Sequence, residues 1–293
     1  FIDDLSLIGL LPHLIVLIAL LIGSCTDLRT REVPDWVNFG LIAVGFGLNL
    51  LLSLILWDFR YILSGFIGFG IFFALGWLMF YTGQWGGGDS KMLMGIGSVV
   101  GIDIFVREVP FMAHFVMNIL MVGALYGVVW TIFLIVKHHA KFLVSFRKMM
   151  ALKNARYAKV ISLIVLVAGV ALYFVLPEPF RLFALYTAFI LPLSTYVWIS
   201  IKSVEQSCML KEVTPHEVTE GDWIAKEVRV DGKLITGPKD LGIEKKQIQE
   251  LKRLYNQGKV RKVIVKEGIP FVPSFLLAYI TTLVFGNVIY LIL

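Results

Sequence analysis

Long apolar runs alternate with short polar segments along most of the chain. Runs of about 20 apolar residues are long enough to cross the roughly 30 Å hydrocarbon core of a bilayer as α-helices. The pattern therefore predicts a polytopic α-helical membrane protein with eight spans, or with six or seven, because the fourth and sixth runs are short. The predicted spans are 5–25, 37–56, 61–82, 92–106, 111–136, 160–176, 182–201 and 271–293.

One long segment, 202–270, has a different pattern and predicts a small α+β domain. Two alternating stretches within 223–236 flank Asp231-Gly232, a dipeptide that suits a two-residue hairpin turn with positive φ. Apolar residues recur on one helical face over 244–257, and Gly258 ends that helix. A further strand is predicted over 260–266.

Composition supports the membrane class, and charge sets the predicted topology. The chain is 58% hydrophobic and 16% charged, with a mean hydropathy of +0.81, which excludes an ordinary soluble globule. Alternating the loops between two sides puts 24 of the 27 Lys and Arg on one side. The positive-inside rule makes that side cytoplasmic and puts both termini outside the cytoplasm. Anionic inner-leaflet lipid and this orientation account for the net charge of +6, so no nucleic-acid partner is expected.

This topology predicts five regions. They are a bundle of transmembrane helices over 1–136, the basic cytoplasmic loop 137–159, a transmembrane hairpin over 160–201, the cytoplasmic α+β domain 202–270 and a C-terminal transmembrane helix over 271–293. The loop 137–159 has apolar residues between its basic ones, which fits either an amphipathic helix on the inner leaflet or a solvated loop that sets orientation.

Two carboxylates at the predicted cytoplasmic ends of apolar runs are the candidates for chemistry. Asp27 follows the first run, and Asp89 follows Gly86-Gly87-Gly88 after the third. An ionisable group at membrane depth costs about 2.5–3.5 kcal/mol, so it is a functional candidate. Glycines permit positive φ and close approach of an extended substrate. The alternatives are a helix N-cap for Asp89 and an interfacial ion pair with Arg29 or Arg31 for Asp27.

Two carboxyls held close together cannot both ionise, so one acts as a base and the other as an acid. The ionised carboxyl takes a proton from water as the water attacks an amide carbonyl, and the protonated one donates to the carbonyl oxygen. The sequence leaves open which aspartate carries the proton. It offers no His or Cys spacing typical of a metal site, and no cofactor is expected.

Two motifs around these aspartates resemble a known family. Asp27 with Arg31-x-Val33-Pro34, and Gly86-Gly87-Gly88-Asp89-x-Lys91, are similar to the two motifs of the type IV prepilin peptidases, which are GxGD membrane aspartyl proteases. The archaeal preflagellin and prepilin peptidases are the most similar branch, and the segment 267–273 resembles their C-terminal region.

The resemblance implies a helix bundle in the cell membrane with Asp27 and Asp89 as the catalytic pair at its cytoplasmic face. It implies removal of the class III signal peptide from pilin-like or archaellin precursors. Weaker candidates for substrate binding or support are Gly86, Gly87, Gly88, Lys91 and Arg31. The two cations, Lys91 and Arg31, are explained slightly better as inside-positive anchors.

Two other functions stay open. A presenilin-like or signal-peptide-peptidase-like intramembrane protease shares the Gly-x-Gly-Asp element, although Asp27 follows Thr26 where those enzymes have Tyr. A carrier that binds a proton or cation through its carboxylates is the non-enzymatic alternative, and no internal symmetry typical of carriers is evident.

Overall fold

The computed structural model describes residues 7–105 and 109–289, and in these ranges it contains ten α-helices and five short strands. The helices are α1 (Leu7–Thr30), α2 (Asp35–Ile55), α3 (Arg60–Tyr81), α4 (Gly87–Val100), α5 (Phe111–Lys137), α6 (His139–Ala151), α7 (Lys153–Val175), α8 (Phe180–Ser207), α9 (Lys245–Asn256) and α10 (Val272–Phe285). The strands are β1 (Leu210–Val213), β2 (Trp223–Ile224), β3 (Val228–Val230), β4 (Lys233–Thr236) and β5 (Val263–Lys266).

The predicted fold class, a polytopic helical membrane protein, is confirmed. Among the described residues, six helices are long and apolar enough to cross a membrane: α1, α2, α3, α5, α7 and α8. The predicted fourth and eighth spans correspond to α4 and α10, which are shorter, with 14 residues each. Residues 5 and 6 of the first predicted span, 106 of the fourth and 290–293 of the last lie outside the described residues.

The boundaries of α4 differ from the predicted span 92–106. The helix begins at Gly87, because the glycines that precede Asp89 join its first turn. It ends at Val100, because the positive φ of 69° at the next residue, Gly101, takes the backbone out of the helix. Close contact with Val33 at Gly88 explains the early start, since tertiary packing can override the poor helix propensity of glycine.

The chain forms two compact units. The first comprises Phe1–Val128, Val213–Val263 and Glu267–Leu293, and the second comprises Val129–Glu212 and Ile264–Lys266. In the first unit α4 is the central helix, and Met92, Leu93 and Ile96 are fully buried. Its packing against α3 depends on two glycines, because a Cβ at Gly97 would lie only 2.6 Å from the carbonyl oxygen of Gly68.

Helix α2 packs along α4 through a single stripe of buried residues. A Cβ at Gly95 would meet the side chain of Leu41, and further along the same face Asn49 donates hydrogen bonds to the carbonyl oxygens of Gly45 (3.1 Å), Ser98 (2.8 Å) and Val99 (3.2 Å). The stripe consists of Val37, Asn38, Leu41, Gly45 and Asn49. Because both helices advance in the same direction along the contact, they run parallel.

Helix α10 is also part of this core. Phe275, Ala278 and Tyr279 are fully buried. Near the other end of the helix the amide of Asn118 donates to the hydroxyl of Thr282 (2.9 Å) and to the carbonyl oxygen of Gly286 (2.6 Å). These contacts fix α10 against α5 and thereby hold the first residues of α10 in place.

The predicted hairpin is confirmed in its turn and second strand. β3 pairs antiparallel with β4, with Val230 opposite Lys233, and both Asp231 (φ 52°) and Gly232 (φ 80°) adopt the positive φ that the turn requires. The first predicted strand is interrupted, so that β2 and β3 are separate. The predicted helix and last strand are confirmed as α9 and β5.

A carboxylate braces the end of this hairpin. Asp240 accepts hydrogen bonds from the hydroxyl of Thr236 (2.9 Å), the N–H of Gly237 (3.1 Å) and the side-chain amide of Gln247 (3.1 Å). Burial opposes ionisation of Asp240, but these hydrogen bonds outweigh burial and hold the pKa of the carboxyl below its ordinary value.

The second unit contains α6, α7 and α8. α7 and α8 approach closely where Gly169 faces Ala184, since a Cβ on that glycine would lie 2.8 Å from the Ala184 carbonyl oxygen, and Ser162 and Thr195 share a hydrogen bond of 2.9 Å. The basic segment 137–159 contains the helix α6. Its location on a membrane surface stays a prediction.

Candidate active site

Asp27 is in the last full turn of α1 and is 95% buried. Its Oδ2 accepts the backbone N–H of Val272 at 3.0 Å, and the backbone of Phe271 contributes a second hydrogen-bonding interaction. Val272 is the first residue of α10. The free N–H groups at a helix N-terminus attract a carboxylate, so α10 provides a site for the charge of Asp27.

Asp89 is the third residue of α4, and its Oδ2 accepts the backbone N–H of Gly86 at 3.0 Å. Gly86 is extended, with φ −71° and ψ 163°, and Gly87 and Gly88 are helical. The positive φ that glycine permits occurs just before this run, at Gly83 (φ 67°). The absence of a side chain at Gly88 allows close packing against Val33, because a Cβ on Gly88 would lie only 3.3 Å from the Val33 Cβ.

The fold brings the two aspartates together, although they are far apart in sequence. The Asp27 and Asp89 carboxyls interact electrostatically. The helices that carry them meet at Gly23, one turn before Asp27, where a Cβ would lie 2.7 Å from Met92 Cε and 3.2 Å from Val272 Cγ1. Thus α1, α4 and α10 converge at the pair.

Arg31 follows α1 with a left-handed backbone, at φ 61°. Such a conformation costs a non-glycine residue about 1–2 kcal/mol and is a reason to look for function. The Arg31 guanidinium interacts electrostatically with Asp27 and with Tyr126 on α5, and Tyr126 also interacts with Asp27. Tyr126 could not be predicted as part of this site, because a single tyrosine in an apolar helix has no distinguishing sequence pattern.

The other weak candidates have packing and ion-pair roles. Lys91 places its ammonium 2.6 Å from Asp35 Oδ1 and 5.1 Å from the centre of the Phe39 ring. This ion pair ties the first turn of α2 to the first turns of α4. Gly86 supplies a backbone donor to Asp89, and Gly87 and Gly88 form the first turn of α4, so the glycines shape the position of that carboxyl.

Two more buried polar side chains, Ser24 and Asn38, lie close to the pair in sequence and were also missed. Ser24 is 5% exposed and Asn38 is fully buried. The Ser24 hydroxyl and both polar atoms of the Asn38 amide have no hydrogen-bond partner among the residues that the structure describes. Leaving a buried donor or acceptor unsatisfied costs about 1–3 kcal/mol, so the presence of these side chains calls for an explanation beyond packing.

Within residues 7–105 and 109–289, no group of three or more His, Cys, Asp or Glu is placed to hold a metal ion. The arrangement instead joins two interacting carboxyls to backbone donors and a cation. One carboxyl can keep a negative charge and the other can keep a proton, which is the requirement for activating water between two acids.

Comparison with known proteins agrees with the resemblance found in the sequence. Residues 14–137 match the type IV leader peptidase family. This segment contains α1 to α4 and most of α5, and both aspartates lie within it. The resemblance to these peptidases is therefore confirmed for this segment.

Individual relatives match over shorter stretches. A preflagellin peptidase of Methanocaldococcus jannaschii is 41% identical over 83 residues, which are 28% of this chain and 35% of the relative. Preflagellin peptidases of Methanococcus voltae and Methanococcus maripaludis are 37% and 36% identical over 91 residues, which are 31% of this chain and 39% of each relative. The chain thus spans little more than a third of the length of the curated relatives it matches, and no solved structure matches it.

Proposed function

We propose, on the premise that residues 14–137 are related to the type IV leader peptidases, that this protein is a membrane aspartyl endopeptidase. Its substrates are archaellin or pilin-like precursors, from which it removes the N-terminal signal peptide at the cytoplasmic face of the cell membrane. Both termini are extracytoplasmic in this topology. The observation that carries the proposal is the interaction between the Asp27 and Asp89 carboxyls inside the family-matched segment.

The environments of the two aspartates support different roles for them. Asp27 has hydrogen bonds from the start of α10 and the positive charge of Arg31 nearby, so it is the ionised base. Asp89 has one backbone donor and faces the charge of Asp27, so it is the protonated acid. Hydrogen bonds and cations favour an ionised carboxyl, and a neighbouring anion disfavours it.

The reaction follows from these roles. Asp27 takes a proton from water as the water oxygen bonds to the carbonyl carbon of the scissile amide, and Asp89 gives its proton to the carbonyl oxygen. The tetrahedral diol then collapses. Its C–N bond breaks, the nitrogen takes the proton held by Asp27, and Asp89 recovers a proton from a diol hydroxyl. The products are the signal-peptide carboxyl and the amine of the mature protein.

Site-directed variants test this proposal. Asp27→Asn and Asp89→Asn should each abolish cleavage of an archaellin-type precursor by the purified, reconstituted protein, because general acid–base catalysis contributes about 10²–10⁴-fold per group. Asp35→Asn is the matched control, since Asp35 is an exposed carboxylate paired with Lys91, and it should cleave normally.

Mass spectrometry of the products gives the cleavage position. Cleavage at the cytoplasmic edge of the precursor's apolar segment agrees with the proposal, and cleavage deep inside that segment favours a presenilin-like protease. Normal cleavage by either Asp27→Asn or Asp89→Asn would contradict the assignment.

A further inference from the structure

Asn38 faces α4 one turn deeper than the catalytic pair. Three residues before it, Asp35 forms an ion pair with Lys91 of α4, and three residues after it, Leu41 packs against Gly95 of α4. Asn38 lies on the same buried stripe of α2 and is therefore level with the segment of α4 between those two contacts. That level is about one helical turn, or roughly 5 Å, from Asp89.

Ser24 reaches the same level from α1. It lies three residues before Asp27, so both side chains are on one face of the helix, a single turn apart. Its neighbour Gly23 packs against Met92, which is three residues after Asp89 on α4. Ser24 and Asn38 thus belong to one layer of the first unit, directly behind the pair of aspartates.

We propose that Ser24 and Asn38 form a water-binding site that supplies the hydrolytic water to Asp27 and Asp89. The inference deepens the proposed function and rests on it. Each turnover consumes one water molecule, whose oxygen becomes part of the new carboxyl group and one of whose hydrogens ends on the new amine. A water held beside the pair is already positioned for attack when the substrate binds, which lowers the entropic cost of the reaction.

The chemistry of the two side chains fits water. A buried water molecule commonly makes about three hydrogen bonds and satisfies polar groups that lack protein partners. The Asn38 amide offers a donor and an acceptor, the Ser24 hydroxyl can act as either, and none of these atoms has a partner in the part of the chain that the structure describes. With 0% and 5% exposure, the two side chains are too enclosed to contact a peptide substrate directly.

Three substitutions at Asn38 separate a water site from a structural role. Leu fills the space with an apolar group, whereas Ala and Ser leave room for water. The proposed water satisfies the amide, and replacing both partners of a buried hydrogen bond by an apolar group of similar size is close to neutral. We expect Asn38→Leu to lower kcat at least tenfold with KM within twofold, while Tm changes by less than about 2–4 °C.

Asn38→Ala and Asn38→Ser should cleave faster than Asn38→Leu, because they leave room for the water. They should have a lower Tm than Asn38→Leu, because they fill less of the space. The order of the variants by activity is therefore the reverse of their order by stability. Ser24→Ala should lower kcat less, because Asn38 still holds the water. Ser98→Ala is the matched control, since this buried serine on α4 bonds the Gly95 carbonyl oxygen within its own helix, and it should cleave normally.

Incorporation of oxygen from ¹⁸O-water provides a second readout. Oxygen from the solvent should be incorporated into the carboxyl group of the released signal peptide. Asn38→Leu should lower the rate of this incorporation by the same factor as the rate of cleavage. All variants are measured in the full chain, reconstituted in vesicles.

Failure of this inference differs from failure of the proposed function. If Asp27→Asn and Asp89→Asn abolish cleavage but Asn38→Leu cleaves at the normal rate, the water site is wrong and the peptidase assignment stands. Loss of both activity and Tm in Asn38→Leu would assign Asn38 a structural role and also overturn the inference. Cleavage by the aspartate variants would instead overturn the proposed function.

Discussion

Two asparagines on the buried face of α2 have opposite surroundings. Asn49 donates three hydrogen bonds to backbone carbonyls, two of them on α4. Asn38, about three turns earlier on the same face, makes none with the described residues. The Asn49 amide fixes the packing of two helices. Packing alone does not explain the Asn38 amide, which is buried near the aspartates without such hydrogen bonds to the described residues.

The comparison extends to the ends of the α2–α4 contact. The end near Asn49 has close glycine packing and satisfied hydrogen bonds. The end near Asn38 combines two interacting carboxyls, a left-handed Arg31 and buried polar side chains without a hydrogen-bond partner among the described residues. Functional sites commonly contain strain that the rest of the fold offsets. Substitutions should therefore cost much more stability at the Asn49 end than at the Asn38 end.

Asn49→Leu should have the largest effect on stability. It removes both N–H donors of the amide, which share three carbonyl acceptors and have a net value of about 1 kcal/mol or somewhat more each, so the free energy of unfolding should fall by about 2–3 kcal/mol. Thermal unfolding of the purified protein measures this loss. Asn38→Leu is its matched partner, and equal losses of stability in both variants would contradict the comparison.

Gly68→Ala should be next in size. The new Cβ would collide with the backbone at Gly97 and Gly101, and overpacking of this kind costs about 1–3 kcal/mol. Gly70→Ala, on the same helix, is the control, because nothing lies within 4 Å of the added Cβ. That variant should be unchanged or slightly more stable, by up to about 1 kcal/mol. Similar Tm values for the two alanine variants would show that α3 and α4 do not pack through this glycine.

Arg31→Gly should separate stability from activity at the site. Glycine adopts φ 61° without strain, so the free energy of unfolding should rise by about 1 kcal/mol relative to Arg31→Ala. Both variants lose the cation beside Asp27, and both should cleave about tenfold more slowly, as expected for a loss of about 1.4 kcal/mol. Precursor cleavage and thermal unfolding are measured together. Arg29→Ala removes a neighbouring cation and should retain activity.

Asp240→Asn tests a carboxylate that accepts three hydrogen bonds, more than the single one that Asp89 accepts from Gly86. Its folded pKa is lowered, so its stabilisation is present above the ordinary Asp pKa and is lost as the pH falls through the folded value. The variant should lose about 0.5–1 kcal/mol at pH 7, a small effect because water screens this partly exposed site, and the loss should disappear as the pH falls through the folded pKa of Asp240. Hydrogen exchange of the β3–β4 hairpin as a function of pH measures the effect. A loss that does not depend on pH would contradict it.

The sequence predicted those features that depend on local pattern. The Asp231-Gly232 turn was predictable because two successive positive φ values restrict the residues allowed. The candidate pair Asp27 and Asp89 stood out because charges are rare beside apolar runs. The start of α4 was misplaced because Gly86-Gly87-Gly88 has the composition of a loop, and tertiary packing made two of these glycines helical.

Other parts of the site depend on contacts that no local pattern records. Asn38 and Asn49 are indistinguishable in sequence, since each is a single amide in an apolar helix. The hydrogen bond from Val272 to Asp27 joins residues separated by 245 positions. The proximity of Tyr126 to Asp27 arises from the packing of α5 and could not be inferred from one tyrosine among ten.

The bond between Val272 and Asp27 also has a consequence for biosynthesis. A nascent chain that has inserted its first five helices already contains both carboxyls but still lacks the amide donors of α10. The ionised form of Asp27 gains this support only after translation has passed residue 272. The two carboxyls therefore acquire their full set of partners only near the end of synthesis, when α10 packs against α1.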